Sequence, residues 1–120
     1  MKIAIPMNEM LMEAEVCVSF GRAPYFLVYD TQSEASTFFE NPGAVSQGGA
    51  GIKAAQSIVD AMAEALLTVR CGENSVEVFQ AAGIKVYKTT EVTAKENIQA
   101  FQKGQLAPLN HFHGGFHGKI

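Results

Sequence analysis

The sequence is short of several things, and each shortage removes a class of function. It has two cysteines, and Met1-Lys2-Ile3-Ala4-Ile5-Pro6 is broken by proline too early to serve as a secretory leader. Few cysteines without a leader point to reduced thiols and a cytoplasmic setting, not a disulfide scaffold. No run approaches the roughly 20 apolar residues of a membrane span, so no membrane partner is expected. Basic residues are outnumbered, 9 against 12 acidic ones, for a net charge of -3. Binding to a nucleic-acid backbone needs a basic face, so no nucleic-acid partner is expected either. Every histidine lies at or beyond residue 111, which leaves no credible Ser-His-Asp arrangement.

What remains is ordinary globular composition, with 48% apolar and 18% charged residues in 120. That is one domain with a real core. It is expected to span residues 1–108, with a His- and Gly-rich tail over 109–120. Within the tail, His111, His113 and His117 are candidate metal ligands, because imidazole is the commonest protein ligand and short His-rich tracts bind metals. The opposing view is that chain ends of this composition are usually flexible. The spacing matches neither a zinc finger nor a helical His pair.

Lys2 to Ile5 reads as a buried strand closed by Pro6, followed by a loop from Met7 to Ser19. Tyr25–Asp30 and Ala35–Glu40 read as a hairpin, and Asn41-Pro42-Gly43 breaks the chain. Gly48–Gly51 opens a helix whose apolar face is drawn by Ile52, Ala55, Val59, Met62 and Leu66. Ala65 to Val69 is a second buried strand. Asn74 with Glu77 predicts a capped helix ending at Gly83, Ile84–Tyr87 is a strand, and Thr93–Glu96 is a capping box. Helices alternating with strands after a hairpin argue for an α/β sheet with parallel strands.

Five positions could carry binding chemistry. Cys71 follows a strand and precedes a helix, at the carboxyl end where open α/β sheets place ligands. A helix N-terminus there would favour the thiolate. Cys17 ends the loop that leaves the first strand, and could face the same cavity if the two strands are neighbours. Cys71 could instead be a small partly buried hydrophobe, and Cys17 a free loop cysteine with no role. Gly49 and Gly51 sit at a helix start, whose N–H groups can hold an anion, or they serve close packing. No Gly-Lys-Ser/Thr follows, so no nucleotide cofactor is expected. Arg22 could meet an anionic ligand or a loop carboxylate. Met7, Met10 and Met12 are soft ligands in principle, but filling gaps or forming adaptable apolar surface is the preferred reading.

Lys2-Ile3-Ala4-Ile5-Pro6, Phe20-Gly21-Arg22-Ala23-Pro24-Tyr25-Phe26 with Asp30, Gly49-Ala50-Gly51-Ile52 and Ala82-Gly83-Ile84-Lys85-Val86-Tyr87 stand in an order that resembles the dinitrogenase iron–molybdenum cofactor biosynthesis family. This is the group of NifX-like proteins and NifB C-terminal domains. The resemblance covers about the first 105 residues. It implies a three-layer α/β/α sandwich with a ribonuclease H-like motif. The five-stranded mixed sheet would have order 3-2-1-4-5, with strand 2 antiparallel. It also implies a carrier of iron–sulfur precursors or of the finished iron–molybdenum cofactor, not an enzyme, working with cluster-biosynthesis or acceptor proteins. Ser19 stands where relatives commonly have His, and Cys71 where many have Gly. The loop after strand 1 is richer in Met and Glu than is usual.

On this reading Cys17, Cys71 and the tail histidines would coordinate exposed irons, while Arg22, Gly49 and Gly51 would offset cluster charge. Two other functions stay open: a simple metal-ion binder using the tail, and a regulatory or interaction domain without metal. A nuclease is argued down, because two-metal hydrolysis needs clustered carboxylates. The first strand has none, and Asp30 and Asp60, the sole aspartates, lie on separate elements.

Overall fold

The computed structural model describes residues 1–109. Its elements are β1 (Lys2–Met7), β2 (Tyr25–Asp30), β3 (Ser36–Glu40), α1 (Ala50–Asp60), β4 (Ala65–Thr68), α2 (Glu73–Ala82), β5 (Lys85–Lys88) and α3 (Ala94–Gln102). The strands form one sheet in the order β3-β2-β1-β4-β5. Strand β2 is antiparallel to both neighbours, whereas β1, β4 and β5 are parallel. This is the mixed sheet that the family resemblance implies.

Alternation along each strand divides the core in two. Ala4, Phe26, Phe39, Leu66 and Val86 point to one face, where they meet Ala54, Ala55 and Ile58 of α1 and Val76 and Phe79 of α2. Ile3, Ile5, Leu27, Phe38, Leu67 and Tyr87 point to the other, against Ala94, Ile98 and Phe101 of α3. Two helices on one face and one on the other make the three layers.

Strand β1 extends two residues beyond the expected Ile5, through Pro6, because the proline falls past the pairing with β4. Only Ile3 and Ala4 pair with that strand. Lys2 accepts a bond from Glu64 N on that side, and Pro6, four residues on, faces the same way. A missing N–H costs nothing where the ladder has stopped.

Two expectations about helices need correction. The buried residues of α1 are Ala54, Ala55 and Ile58, whereas Ile52 is 47% exposed and Met62 72% exposed. The expected face ran through a turn: the helix stops at Asp60, Met62 takes a left-handed φ of 65°, and Leu66 already belongs to β4. Alanines, not the larger residues, let α1 lie close to the sheet. Helix α2 begins two residues earlier than expected, with extended Gly72 as its N-cap and no side-chain cap. Asn74 lies inside the first turn, where it cannot cap. The box at Thr93 and Glu96 forms as expected.

After α3, Pro108 bridges to Tyr87, and Lys88 N and Leu109 N bond to Ala107 O and Val86 O. The described chain therefore ends running antiparallel to β5, from its carboxyl end toward its amino end.

Candidate functional site

Strands β1, β3, β4 and β5 all point the same way, so the loops that follow them open along one edge of the sheet. Cys17 reaches that edge through a backbone bond: its N–H donates to Pro6 O at 2.8 Å, on the side of β1 that faces β4. Cys71 follows β4 directly. The shared edge expected if β1 and β4 were neighbours is present, since the two strands pair in parallel; Cys71 lines the crevice there and Cys17 sits beside it. Cys71 belongs to an apolar cluster with Phe20, Phe26 and Phe79, and half-buried Cys17 packs against it.

The chemistry of Cys71 differs from expectation. The residue is 2% exposed. Burial raises its thiol from 9.0 to about 12, outweighing hydrogen bonds from the Ser75 side chain and the Gly72 backbone. The helix start does not yield a resting thiolate, because loss of water costs the anion more than the dipole returns.

Two adjoining depressions meet at Gly72. One, of about 270 Å³, is lined by Ser19, Phe20, Gly21, Arg70 and Cys71. The other, of about 240 Å³, lies between the first turns of α1 and α2 and includes Gly49, Gly51, Glu73 and Ser75. Neither helix has a side-chain cap. The first N–H groups of a helix have no partner within it, so both helix starts offer donors toward this space. Glu73, in the first turn of α2, opposes an anion there.

The glycines divide into two kinds. Gly49 has φ +67°, and a Cβ on it would meet nothing within 4 Å, so it serves a turn beside open space. Gly51 serves close approach: a Cβ there would lie 2.6 Å from Ser75 Oγ. Gly43, which sequence reasoning read only as a chain break, is tighter still, with a Cβ position 2.4 Å from Ala50 O. Asn41 was read only as part of the same break, and its side-chain role was missed. It is 4% exposed, donates from Nδ2 to Gly21 O and Ala23 O at 2.9 Å each, and accepts from Gly43 N at 2.8 Å. An Asn two residues before a Gly is an Asx-turn signal that could have found it.

Arg22 reaches backbone carbonyls of the next loop, not a loop carboxylate. Its Nη1 donates to Ala44 O at 3.3 Å and to Ser46 O, holding the loop that precedes α1. Met7 is fully buried and Met12 packs against the α3-side core, whereas Met10 is exposed, so these thioethers do not converge. Among the described residues no three His, Cys, Asp or Glu side chains come together to hold a metal ion. The metal site expected at His111, His113 and His117 lies outside the described residues. Among the described residues no helix is long and apolar enough to cross a membrane.

Comparison with known proteins adds a second line. A family model described as dinitrogenase iron–molybdenum cofactor matches residues 1–104. The apo form of the orange protein from Desulfovibrio gigas superposes with a TM-score of 0.86 at 34% identity, over 90% of this chain and 92% of that one. A Thermotoga protein described as a candidate NifB protein gives a TM-score of 0.82 at 36% identity, covering 96% and 98%. A candidate dinitrogenase from Methanocaldococcus jannaschii, at 22% identity and a TM-score of 0.69, shares the fold over 90% and 93%. No curated protein matches the chain.

Proposed function

The chain belongs to the dinitrogenase iron–molybdenum cofactor family, and from that premise we propose that it binds and carries an anionic metal–sulfur cluster. The cargo class is an iron–sulfur or iron–molybdenum cofactor or its precursor, and the protein passes it on without catalysing a reaction. The observation that carries this reading is the paired depression at the carboxyl edge. Two uncapped helix starts and Cys71 meet there, in a crevice lined partly by glycine backbone, and Cys17 packs against the apolar cluster that holds Cys71.

Each residue has a part. Half-buried Cys17 is the more accessible thiol and offers the first ligand. Cys71 is protonated in the free protein, but a coordinated metal deprotonates a thiol outright, so it follows once iron is near. The N–H groups at the starts of α1 and α2, beside Gly49, Gly51 and Gly72, face the cluster's negative charge, with Arg70 lining the same space. Arg22 fixes the loop that sets α1. Few, partly buried ligands suit a carrier that must release its load.

The test is anaerobic. Purified protein is mixed with an iron–sulfur cofactor precursor and separated by gel filtration. Iron, sulfide and molybdenum are then assayed in the protein peak for wild type and for Cys17→Ser/Cys71→Ser. Co-elution lost in the double variant is the expected result. Unchanged co-elution in that variant removes the thiolates from the proposal, and no co-elution in either protein removes the carrier function.

A further inference from the structure

Residues 8–16 form a closed finger at the same edge, and nothing in the carrier reading uses its tip. Met7 and Val16 bridge at its base, Asn8 N donates to Glu15 O, and Ala14 N donates to Leu11 O. Its flank is tied down by Val16 N to Val92 O, Ala94 N to Ala14 O and Lys95 N to Met12 O. The segment it leans on is itself pinned. Fully buried Asn97 accepts from Thr90 N and Glu91 N and donates to Glu91 O and Thr93 O. A loop braced this way is held in one shape, so what it displays is set by the fold.

It displays apolar side chains. Met10 is 43% and Leu11 54% exposed at the tip, and Val92 is 59% exposed in the supporting loop. Of eight exposed large hydrophobics in the described chain, Val18, Val45 and Ile52 share this edge with those three, and only Met1 and Met62 do not. Adjacent exposed apolar side chains at the tip of a braced loop suit an interaction surface. Charge narrows the partner. Glu9, Glu13, Glu15 and Glu91 are all exposed on the finger and its support, residues 8–16 contain no Lys or Arg, and the cation beside them is Lys95, which shares a depression with Met12 and Glu13. Anionic lipid and nucleic acid are repelled by such a surface.

We propose that the finger 8–16 docks a protein partner that presents an apolar pocket rimmed by lysine or arginine. Met10 and Leu11 fill the pocket and the glutamates meet the rim. The buried tip would supply most of the affinity, and the charges would supply encounter rate and selectivity. The proposal does not depend on the carrier reading, since it concerns neither cysteine.

A photo-reactive phenylalanine analogue is placed at position 11 of the full chain, and a control at position 62, at the other end of the sheet. Both are expressed in the organism of origin and irradiated, and the adduct is identified. The partner is then purified and its affinity measured. The expected result is an adduct from position 11 and none from position 62. Binding should weaken about tenfold in Met10→Ser/Leu11→Ser. It should weaken severalfold in Glu9→Gln/Glu13→Gln/Glu15→Gln and in high salt. Four results overturn the proposal: no adduct at 11, equal adducts at 11 and 62, an adduct of the chain with itself, or binding indifferent to the Gln variant. Cluster loading of the Ser variant, measured by gel filtration as above, should equal wild type. It reports on the carrier reading separately.

Discussion

The start of α3 and the starts of α1 and α2 solve one problem in opposite ways. At α3, Thr93 Oγ1 accepts from Glu96 N and Glu96 Oε1 accepts from Thr93 N, each at 3.2 Å, so the first turn is closed by its own side chains. At α1 and α2 the cap is a glycine without any side-chain bond, and the first turn borders open space. An unpartnered N–H must find water, a side chain or a ligand. Where the chain supplies the partner, the helix end is purely architectural. Where it supplies only glycine, the donors stay available and the surrounding loops must hold the helix by close packing instead. The open end is thus stabilised by contacts far apart in sequence, the closed end by contacts three residues apart.

The contrast can be broken most strongly through Cys71. Its thiol is held at about 12 in the folded protein against 9.0 ordinarily. A raised value means that the folded state keeps a proton which the unfolded state gives up. The contribution is fully present below about pH 9 and is lost as pH rises toward 12. The slope is up to about 1.4 kcal/mol per pH unit. Urea unfolding of wild type and Cys71→Ala between pH 8 and 11 should show this extra alkaline loss in wild type only. Equal slopes would mean that the thiol is not desolvated. Gly43→Ala comes next. Its Cβ would press on Ala50 O, a backbone atom that cannot turn aside, so a loss of about 3 kcal/mol is expected in the same assay. A loss below about 0.5 kcal/mol would show that the loop before α1 is free to shift, and that the open end is not held by close packing.

The same contrast explains what could be read from the chain beforehand. Thr93 and Glu96 announce their cap because both partners sit within four residues. The hairpin and the apolar runs of β1 and β2 were legible for the same reason. The shared edge for Cys17 and Cys71 followed once β1 and β4 were taken as neighbours, and the pairing confirms that. The open end was poorly legible. Asn74 and Glu77 imitate a capping box, yet the turn at Gly72 starts the helix first, and nothing local distinguishes the two. The need for glycine at 43 and 51 arises from Ala50 O and Ser75 Oγ, which come near only in the folded chain. The protonation of Cys71 depends on burial beside Phe20 and Phe79, residues on two other segments.

Thr93→Ala should cost about 1 kcal/mol by removing the cap of α3, and should leave cluster loading untouched, since that helix packs on the other face. Gly49→Asn is the finest probe, because it adds one polar side chain beside the start of α1 with little else changed. Asparagine tolerates the left-handed backbone that Gly49 adopts, and its Cβ meets nothing within 4 Å, so stability should move by no more than about 0.5 kcal/mol. Its amide nevertheless projects into the space between the two helix starts. If the donors there serve a ligand, loading with the cofactor precursor should fall several-fold at unchanged stability. If loading is unchanged, the open helix starts are a consequence of loop packing alone, and the cysteines must hold the cargo without them.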